Sequence, residues 1–427
     1  MNPAPHSASA PTVVRGERLV LWVLWLTYGS FYFCRNNLGL AVPGITAELG
    51  YTKAELGTVL AALKLAYGVG QLVNGQLAQR FPPRRLLAIG LLASAGLNVL
   101  FGWATALYFM TFIWACNGYV QALGWAPCVR VTANWFPALR RGSAMGVIGT
   151  GYQLCGALTF VVAGWAADRF GWRGALFVPS ALLAGSALHM WLLLEETPGA
   201  KGPSADRKSA AVTTGASFRQ NLAVTLTNPG LWLVGLTLGL LDSCRYGFTD
   251  WGVVHLTEIQ KASVSSAAFK YAVLPFGGMA GAYLTGKATD RWFGGRRVPV
   301  IAVLLTMLGL LALVYDSVIR WGFGASIVML FLIGFCIFGP QVLLVGTLPL
   351  DLARRGTAAA AAGFINFMGY MGAAVGNKLT GQLAQERGWP AAVQFWAGCA
   401  LAGALVIACL WKTEDHHRQF AAKTARQ

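Results

Sequence analysis

Long apolar stretches alternate with short polar or basic stretches along almost the whole chain. Twelve apolar stretches can be drawn, centred near residues 30, 66, 95, 120, 154, 184, 243, 277, 308, 335, 370 and 400. Each is about 20 residues long, the length at which an α-helix crosses the hydrocarbon core of a bilayer. Because the strict alternation of barrel strands is missing, the pattern predicts an all-α integral membrane protein with 12 transmembrane helices.

The composition supports a chain that is solvated by lipid. Of its 427 residues, 56% are hydrophobic and only 11% are charged, whereas soluble domains carry about 25% charged residues. The eight cysteines all fall inside apolar stretches and the five histidines are scattered. We therefore expect no disulfide framework, no metal site and no cofactor.

The formal net charge of +17 would suit a nucleic-acid partner, but the position of the charges argues against one. Of the 33 Lys and Arg residues, 20 fall in one set of loops and tails and six in the opposite set. The positive-inside rule then places both termini and the long central loop in the cytoplasm, on the inner face of the plasma membrane. The polar start leads directly into the first helix without a small-residue cleavage site, which favours a retained helix over a removed signal peptide.

The second half of the sequence repeats the plan of the first half. Three pairs of segments match at offsets of 211 to 217 residues: "GQLAQRFPPRR" (75–85) with "GKATDRWFGGRR" (286–297), "RRGSAMGVIG" (140–149) with "RRGTAAAAAG" (354–363), and "DRFGW" (168–172) with "QERGW" (385–389). Since each half holds six apolar stretches, the repeat predicts two parallel six-helix bundles around a central cavity.

The boundaries of the two halves follow from the polar stretch between them. Residues 195–217, "EETPGAKGPSADRKSAAVTTGAS", are polar and rich in small residues, which is typical of a flexible linker. We expect a first bundle over 1–194, a cytoplasmic linker over 195–222, and a second bundle with a polar tail over 223–427.

Two intramembrane arginines are the strongest functional signal from the residues alone. Arg35 and Arg245 stand at equivalent positions in the first helix of each half. A lone arginine at a helix centre costs about 2.5–3.5 kcal/mol on insertion scales, so two at equivalent positions indicate a function. Repeat symmetry would place them on opposite walls of the cavity, where guanidinium groups suit a phosphate. The alternative is pairing within the protein: Asp242 lies three residues before Arg245 on the same helical face.

Four segments carry a resemblance to a known family. "YGSFYFCRNNLGLAVP", "NGYVQALGWAPC", "RYGFTDW" and "FGPQVLLVG" closely resemble the organophosphate:phosphate antiporter family of the major facilitator superfamily, and the likeness runs from about residue 20 to 410. The resemblance implies that Arg35 and Arg245 hold a substrate phosphate. It also implies that five aromatic residues lie near the site: Tyr28, Tyr32, Tyr67, Trp125 and Tyr370.

The sequence departs from the family pattern at several site positions. Gln71 replaces a family lysine, but Lys64 lies two turns earlier on the same face and carries a charge. Tyr152 replaces a histidine of several relatives, and Asp242 replaces a tyrosine. These changes leave the identity of the substrate open.

Lys378 matches a lysine of hexose-phosphate carriers, but Ala374 stands where those carriers have its aspartate. An intramembrane lysine needs an anionic partner. That partner is either Asp242 or a carboxylate of the substrate, and the second case would indicate a phosphorylated carboxylic acid.

These observations predict a secondary transporter, not an enzyme, because no catalytic constellation is visible. We expect a monomer that exchanges inorganic phosphate for an organic phosphate ester, either a sugar phosphate or a phosphorylated carboxylic acid, by alternating access. Two alternatives remain open: a receptor of the same fold that senses a sugar phosphate, and a proton-coupled organic anion symporter in which Asp242 would bind the proton.

Overall fold

The computed structural model describes residues 16–198, 224–352 and 357–411. The first half of the described chain contains eight α-helices: α1 Glu17–Ser30, α2 Leu38–Leu49, α3 Lys53–Arg80, α4 Pro83–Trp103, α5 Leu107–Gln121, α6 Trp125–Trp135, α7 Ala138–Phe170 and α8 Gly174–Leu193. The second half contains nine: α9 Pro229–Tyr246, α10 Gly252–Ile259, α11 Val264–Tyr271, α12 Val273–Arg291, α13 Val298–Val318, α14 Phe323–Val342, α15 Leu348–Leu352, α16 Ala358–Glu386 and α17 Trp389–Ala408.

These helices form twelve helical segments, because five pairs follow each other directly: α1–α2, α5–α6, α9–α10, α11–α12 and α14–α15. Seven of the described helical stretches are long and apolar enough by themselves to span a membrane. The remaining segments are interrupted or carry more polar residues. The predicted all-α membrane fold is confirmed, and the twelve helical segments are consistent with the twelve apolar stretches of the sequence.

The interruptions have local causes. Between α9 and α10 the chain forms a π-helical turn over Gly247–Trp251, and a second such turn over Leu343–Thr347 joins α14 to α15. Single π turns of this kind are frequent at functional sites. Proline stands inside α14 at Pro340, shortly before the second turn, where it removes one backbone donor.

Small residues let the helices pack closely. Gly118 of α5 faces the backbone of Leu63 in α3, and Gly372 of α16 faces Gly239 of α9, so that a methyl group at either glycine would collide with the opposite backbone. Close approach of this kind drives helix association in lipid, where the apolar effect between helices is lost.

The two halves meet most closely at one end, which we call the distal end: it is the end at which α2, α7 and α16 terminate and α3 and α11 begin. There α2 packs against α10, α3 against α16, and α7 against α11. A methyl group on Gly39 of α2 would collide with the carbonyl oxygen of Asp250 in the second half. The structure is therefore closed at the distal end.

The start of the predicted linker packs against the first half. Trp135 Nε1 donates to the carbonyl of Glu195 (2.8 Å), and the backbone N–H of Arg84 donates to Glu196 Oε1 (2.9 Å). The rest of the linker, from residue 199, lies outside the described residues, as does the tail beyond residue 411.

Candidate substrate-binding site

The first transmembrane segment is broken where Arg35 stands. Helix α1 ends in a 3₁₀ turn over Phe31–Cys34, and residues 35–37 are not helical before α2 begins. The break frees the carbonyl of Cys34, which accepts three side-chain hydrogen bonds, from Gln121 Nε2 (2.8 Å), Asn117 Nδ2 (2.9 Å) and Asn98 Nδ2 (3.4 Å). Since an unsatisfied carbonyl in lipid costs several kcal/mol, these amides make the break possible.

The guanidinium of Arg35 donates a hydrogen bond through one of its three nitrogens, and the other two have no partner among the described residues. Its side chain is 3% exposed, and its Nε donates to Gln121 Oε1 at 2.7 Å. Nη1 and Nη2 are buried and have no hydrogen-bond partner among the described residues. The guanidinium carbon lies 4.6 Å from the Tyr32 ring centroid and 4.4 Å from that of Tyr67. A buried guanidinium with two unpaired nitrogens is a binding group for an anion.

Arg245 lies in the last turn of α9 and is 6% exposed. Its Nη1 lies 3.4 Å from Asp242 Oδ1, whereas a strong charge-assisted hydrogen bond is about 2.7–2.9 Å. Its Nε has no partner among the described residues. The pairing with Asp242 that the sequence offered as an alternative is present, but it is long and leaves donor capacity on Arg245.

Lys64 is buried at the interface and pairs across the two halves. Its Nζ lies 2.9 Å from Asp250 Oδ2, and both side chains are 2% exposed. Asn377 Nδ2 donates to the same oxygen at 2.8 Å, and the ammonium lies 3.8 Å from the Tyr246 ring centroid. The sequence analysis did not identify this pair, because the contact between Lys64 and Asp250 requires the tertiary arrangement of the two halves.

Aromatic rings connect the two arginines. Tyr67, stacked on Arg35, lies 4.4 Å from the Tyr370 ring. Tyr370 lies 6.4 Å from Tyr246, whose ring is 4.7 Å from the Arg245 guanidinium. The electron-rich faces of these rings stabilise the cations while no anion is bound.

The other predicted aromatic residues form a second group on the side of the first half. Tyr32 and Tyr152 stack at 5.2 Å, and Tyr28 contacts Tyr152 at 6.1 Å and Trp125 at 4.9 Å. Tyr32 also contacts Arg35. Ten of the eleven residues predicted to bind substrate are thus brought together around the two arginines, with Trp125 at the edge behind Tyr28.

A small cavity lies between this aromatic group and Arg245. Its lining residues come from both halves and are Tyr32, Asn36, Tyr152, Gln153, Gly156, Phe160, Arg245, Tyr246, Thr249, Leu274, Pro275 and Phe338. Arg245 is the charged member of this lining, and Thr249 Oγ1 has no partner among the described residues. The cavity combines one cationic wall with neutral hydrogen-bonding groups.

Lys378 is the predicted site residue that the structure places elsewhere. Its side chain is exposed on α16, while Asn377 beside it is fully buried and turned toward Asp250. The helical period therefore directs Lys378 away from the cavity. Neither Asp242 nor Asp250 is its partner in this structure: the first contacts Arg245 and the second contacts Lys64.

Sequence reasoning missed five polar residues that contact Arg35 or Lys64 or line the cavity: Gln121, Asp250, Asn36, Gln153 and Thr249. Each is a polar residue inside an apolar stretch, which was a usable signal. Gln121 even lies within the motif "NGYVQALGW", but its contact with Arg35 depends on how α5 packs against the broken helix.

Known proteins resemble this chain along most of its length. The family model of the Major Facilitator Superfamily matches residues 24–377. The "Glycerol-3-phosphate transporter" of Bacillus subtilis is 30% identical over 96% of this chain and 97% of its own length. The "Probable hexose phosphate transport protein" of Chlamydia muridarum is 29% identical, covering 93% and 91%. The "Membrane sensor protein UhpC" of Salmonella typhimurium is 29% identical, covering 90% and 87%.

Solved structures share the fold at low sequence identity. The nucleoside transporter NupG aligns with a TM-score of 0.73 at 14% identity, over 92% of this chain and 99% of its own. A bacterial homolog of the human lysosomal transporter Spinster, in an inward-facing and unoccupied conformation, aligns with a TM-score of 0.70 at 16% identity, over 94% and 97%. This chain is therefore a multi-pass membrane protein and not an enzyme, and it belongs to the major facilitator superfamily and, within it, to the organophosphate:phosphate antiporter family.

Proposed function

We propose that this chain is a secondary transporter that exchanges inorganic phosphate for an organic phosphate ester by alternating access. The observation that carries the proposal is the buried Arg35 guanidinium, whose Nη1 and Nη2 have no partner among the described residues. Arg245 lines the cavity from the other half with its Nε unpaired, and Tyr32 joins the two arginines' surroundings because it lines the same cavity and contacts Arg35. A phosphate group accepts several hydrogen bonds at once and is the ligand that such paired forks bind best.

The cavity favours an ester whose organic part is uncharged and rich in hydroxyl groups. Asn36, Gln153 and Thr249 offer neutral donors and acceptors beside Arg245. Lys378, the cation that a substrate carboxylate would need, is exposed outside the cavity. We therefore favour a sugar phosphate or polyol phosphate over a phosphorylated carboxylic acid. The names of two relatives, which refer to hexose phosphate and glycerol-3-phosphate, support this choice.

The charges of the site explain why the transporter would change between its two open states with substrate bound and would not do so when empty. Arg35, Lys64 and Arg245 with Asp242 and Asp250 sum to one positive charge when each carries its ordinary charge. A phosphate monoanion balances that charge, and it contacts arginines from both halves at once. The ligand then binds the closed state better than either open state, which is the requirement for a ligand to promote the transition.

The orientation follows from the charge distribution of the loops. With both termini in the cytoplasm of the inner membrane, the closed distal end faces outward. The structure then corresponds to a state whose site is closed to the outside. We propose that the chain acts as a monomer in this membrane, since a single copy contains both arginines and the whole cavity lining.

A second candidate is a sugar-phosphate receptor, because one relative is named a membrane sensor protein. Counterflow in proteoliposomes separates the candidates: vesicles are loaded with unlabelled phosphate and labelled phosphate is added outside. Trans-stimulated uptake supports exchange. Binding of phosphate esters by folded protein without uptake supports the receptor, and uptake driven by a pH gradient without internal phosphate supports the proton-coupled symporter.

The site is tested in the same vesicles with Arg35→Lys and Arg245→Lys. Lysine keeps the charge but loses the planar fork, so both variants should lose most exchange. Arg320→Lys is the matched control, because Arg320 is exposed at the distal end of the second half. Exchange that survives in both site variants at the level of this control would contradict the proposed phosphate site.

A further inference from the structure

Two exposed side chains at the distal end bridge the halves in the same manner. Asp168, near the end of α7, accepts a hydrogen bond through Oδ2 from the backbone N–H of Ser265 in α11 (3.1 Å). Gln385, near the end of α16, accepts through Oε1 from the backbone N–H of Lys53, the first residue of α3 (3.2 Å). Each half thus supplies an acceptor to the N-terminus of a helix in the other half.

The internal repeat relates these two contacts. Asp168 and Gln385 occupy the same position in the matching segments "DRFGW" and "QERGW". The helices that they contact are also equivalent, because Thr52 and Ser263 are matching N-cap residues. The N-cap side chains accept from the backbone N–H three residues later, at 3.3 Å and 3.2 Å. Equivalent positions of the two halves therefore form the same kind of contact, in which a side chain near the end of one helix accepts from the N-terminus of a helix in the other half.

The local cap and the cross-half acceptor have complementary tasks. A helix N-terminus leaves its first four N–H groups without intrahelical partners. In α3 and α11 the local cap satisfies the third of these groups, while the other half satisfies the first group, in Lys53, and the second, in Ser265. These two N–H groups keep their protein partners only while the distal end is closed.

The two acceptors differ in charge. Asp168 is a carboxylate, which interacts with the positive end of the α11 dipole in addition to the hydrogen bond. Gln385 is neutral and supplies the hydrogen bond alone. At the start of α3 the Lys53 ammonium is already paired with Glu258 of the second half at 3.1 Å. The two cross-half contacts therefore differ in the charges that surround the backbone hydrogen bond.

We propose that Asp168 and Gln385 are a symmetric pair of cross-half helix caps that hold the distal end closed, and that the charge at these two positions sets the balance between the distal-closed and distal-open states. The proposal rests on the alternating access proposed above. The effect of one exposed charge at a helix N-terminus corresponds to a change of about two- to fivefold in the ratio of the two states.

The test measures the conformational balance without transport. Spin labels are placed on Tyr108→Cys and Trp321→Cys, which are highly exposed residues at the distal end of different halves (81% and 78%). Cys116 and Cys409, which are not buried, are replaced by serine. Distances between the labels are measured by double electron–electron resonance in nanodiscs without phosphate. Opening of the distal end lengthens the distance.

Two substitutions should move the balance in opposite directions. Asp168→Asn removes the charge and should raise the distal-open fraction by about two- to fivefold, while Gln385→Glu adds a charge and should lower it. Glu386→Gln is the matched control: Glu386 is an exposed carboxylate at the end of α16, next to Gln385. Its loss should leave the distance distribution unchanged.

The double variant Asp168→Ala with Gln385→Ala removes both caps and should open the distal end more than either single change. An unchanged distribution in this variant, or the same shift with Glu386→Gln as with Asp168→Asn, overturns the proposal. Phosphate counterflow is measured on the same proteins. Absent counterflow with the expected shifts refutes the proposed exchange alone, and normal counterflow without shifts refutes the caps alone.

Discussion

The Lys64–Asp250 ion pair is the buried contact between the halves whose removal should change the conformational balance most. Its atoms are 2.9 Å apart and both side chains are 2% exposed. The pair joins α3 of the first half to the π-helical turn after α9 in the second half. It therefore exists in the distal-closed state and must separate when the halves move apart at this level.

Removing one partner leaves the other charge buried. Asp250→Asn keeps an acceptor for Asn377 but leaves the Lys64 ammonium without its counter-ion in the distal-closed state. Breaking a buried pair in this way costs about 3–5 kcal/mol, which corresponds to a shift of roughly a hundredfold or more in an equilibrium between two states. In the distal-open state water reaches the ammonium, so the substitution should favour that state. The proximity of Tyr246, 3.8 Å from the ammonium, offsets part of this cost.

A second substitution should reverse the first. In Lys64→Met with Asp250→Asn no buried charge remains, and the thioether of methionine can still contact the Tyr246 ring. Replacing both partners of a buried pair is often neutral or stabilising, so the double variant should return toward the distal-closed state of the wild type.

The assay is the distance between labels on Tyr108→Cys and Trp321→Cys, with thermal stability measured alongside. A large distal-open fraction in Asp250→Asn and its reversal in the double variant are the expected results. The reasoning is refuted if Asp250→Asn has the wild-type distribution, or if the folded double variant is as open as the single one.

Three further predictions concern Arg35, the contact between the halves at Gly39, and Lys378. Gln121→Glu places a carboxylate beside Arg35 Nε and neutralises the guanidinium, so the apparent KM for phosphate in counterflow should rise about ten- to hundredfold. Thermal stability should fall, because a carboxylate cannot donate to the Cys34 carbonyl as the Gln121 amide does; an unchanged KM would show that Gln121 does not control Arg35. Gly39→Ala places a methyl group against the carbonyl of Asp250, and the label distances should report a more open distal end, whereas a wild-type distribution would mean that the close approach is not required. Lys378→Ala should leave exchange of phosphate and of carboxylated esters within about twofold of wild type, because the side chain is exposed outside the cavity; a selective loss of carboxylated substrates would return Lys378 to the site.

The sequence predicted the architecture because its determinants are local. In lipid each transmembrane segment must satisfy its own backbone, so length and hydropathy indicate where helical segments lie along the chain. The equivalence of Arg35 and Arg245 could also be predicted, because the matching segments of the two halves are separated by a nearly constant number of residues. Their connection through Tyr67, Tyr370 and Tyr246 agrees with the position that repeat symmetry predicts for them.

Side-chain partners across helices were decided by the tertiary structure alone. Asp250 pairs with Lys64, Gln121 holds Arg35, and Lys378 points outward. These outcomes depend on the rotation of each helix about its axis and on the relative position of the halves, which hydropathy does not specify. A polar residue in an apolar stretch indicates that its side chain has a polar partner in the folded protein, because an unpaired polar group in hydrocarbon raises the free energy. Which partner it finds is decided only when helices from distant parts of the chain are packed together.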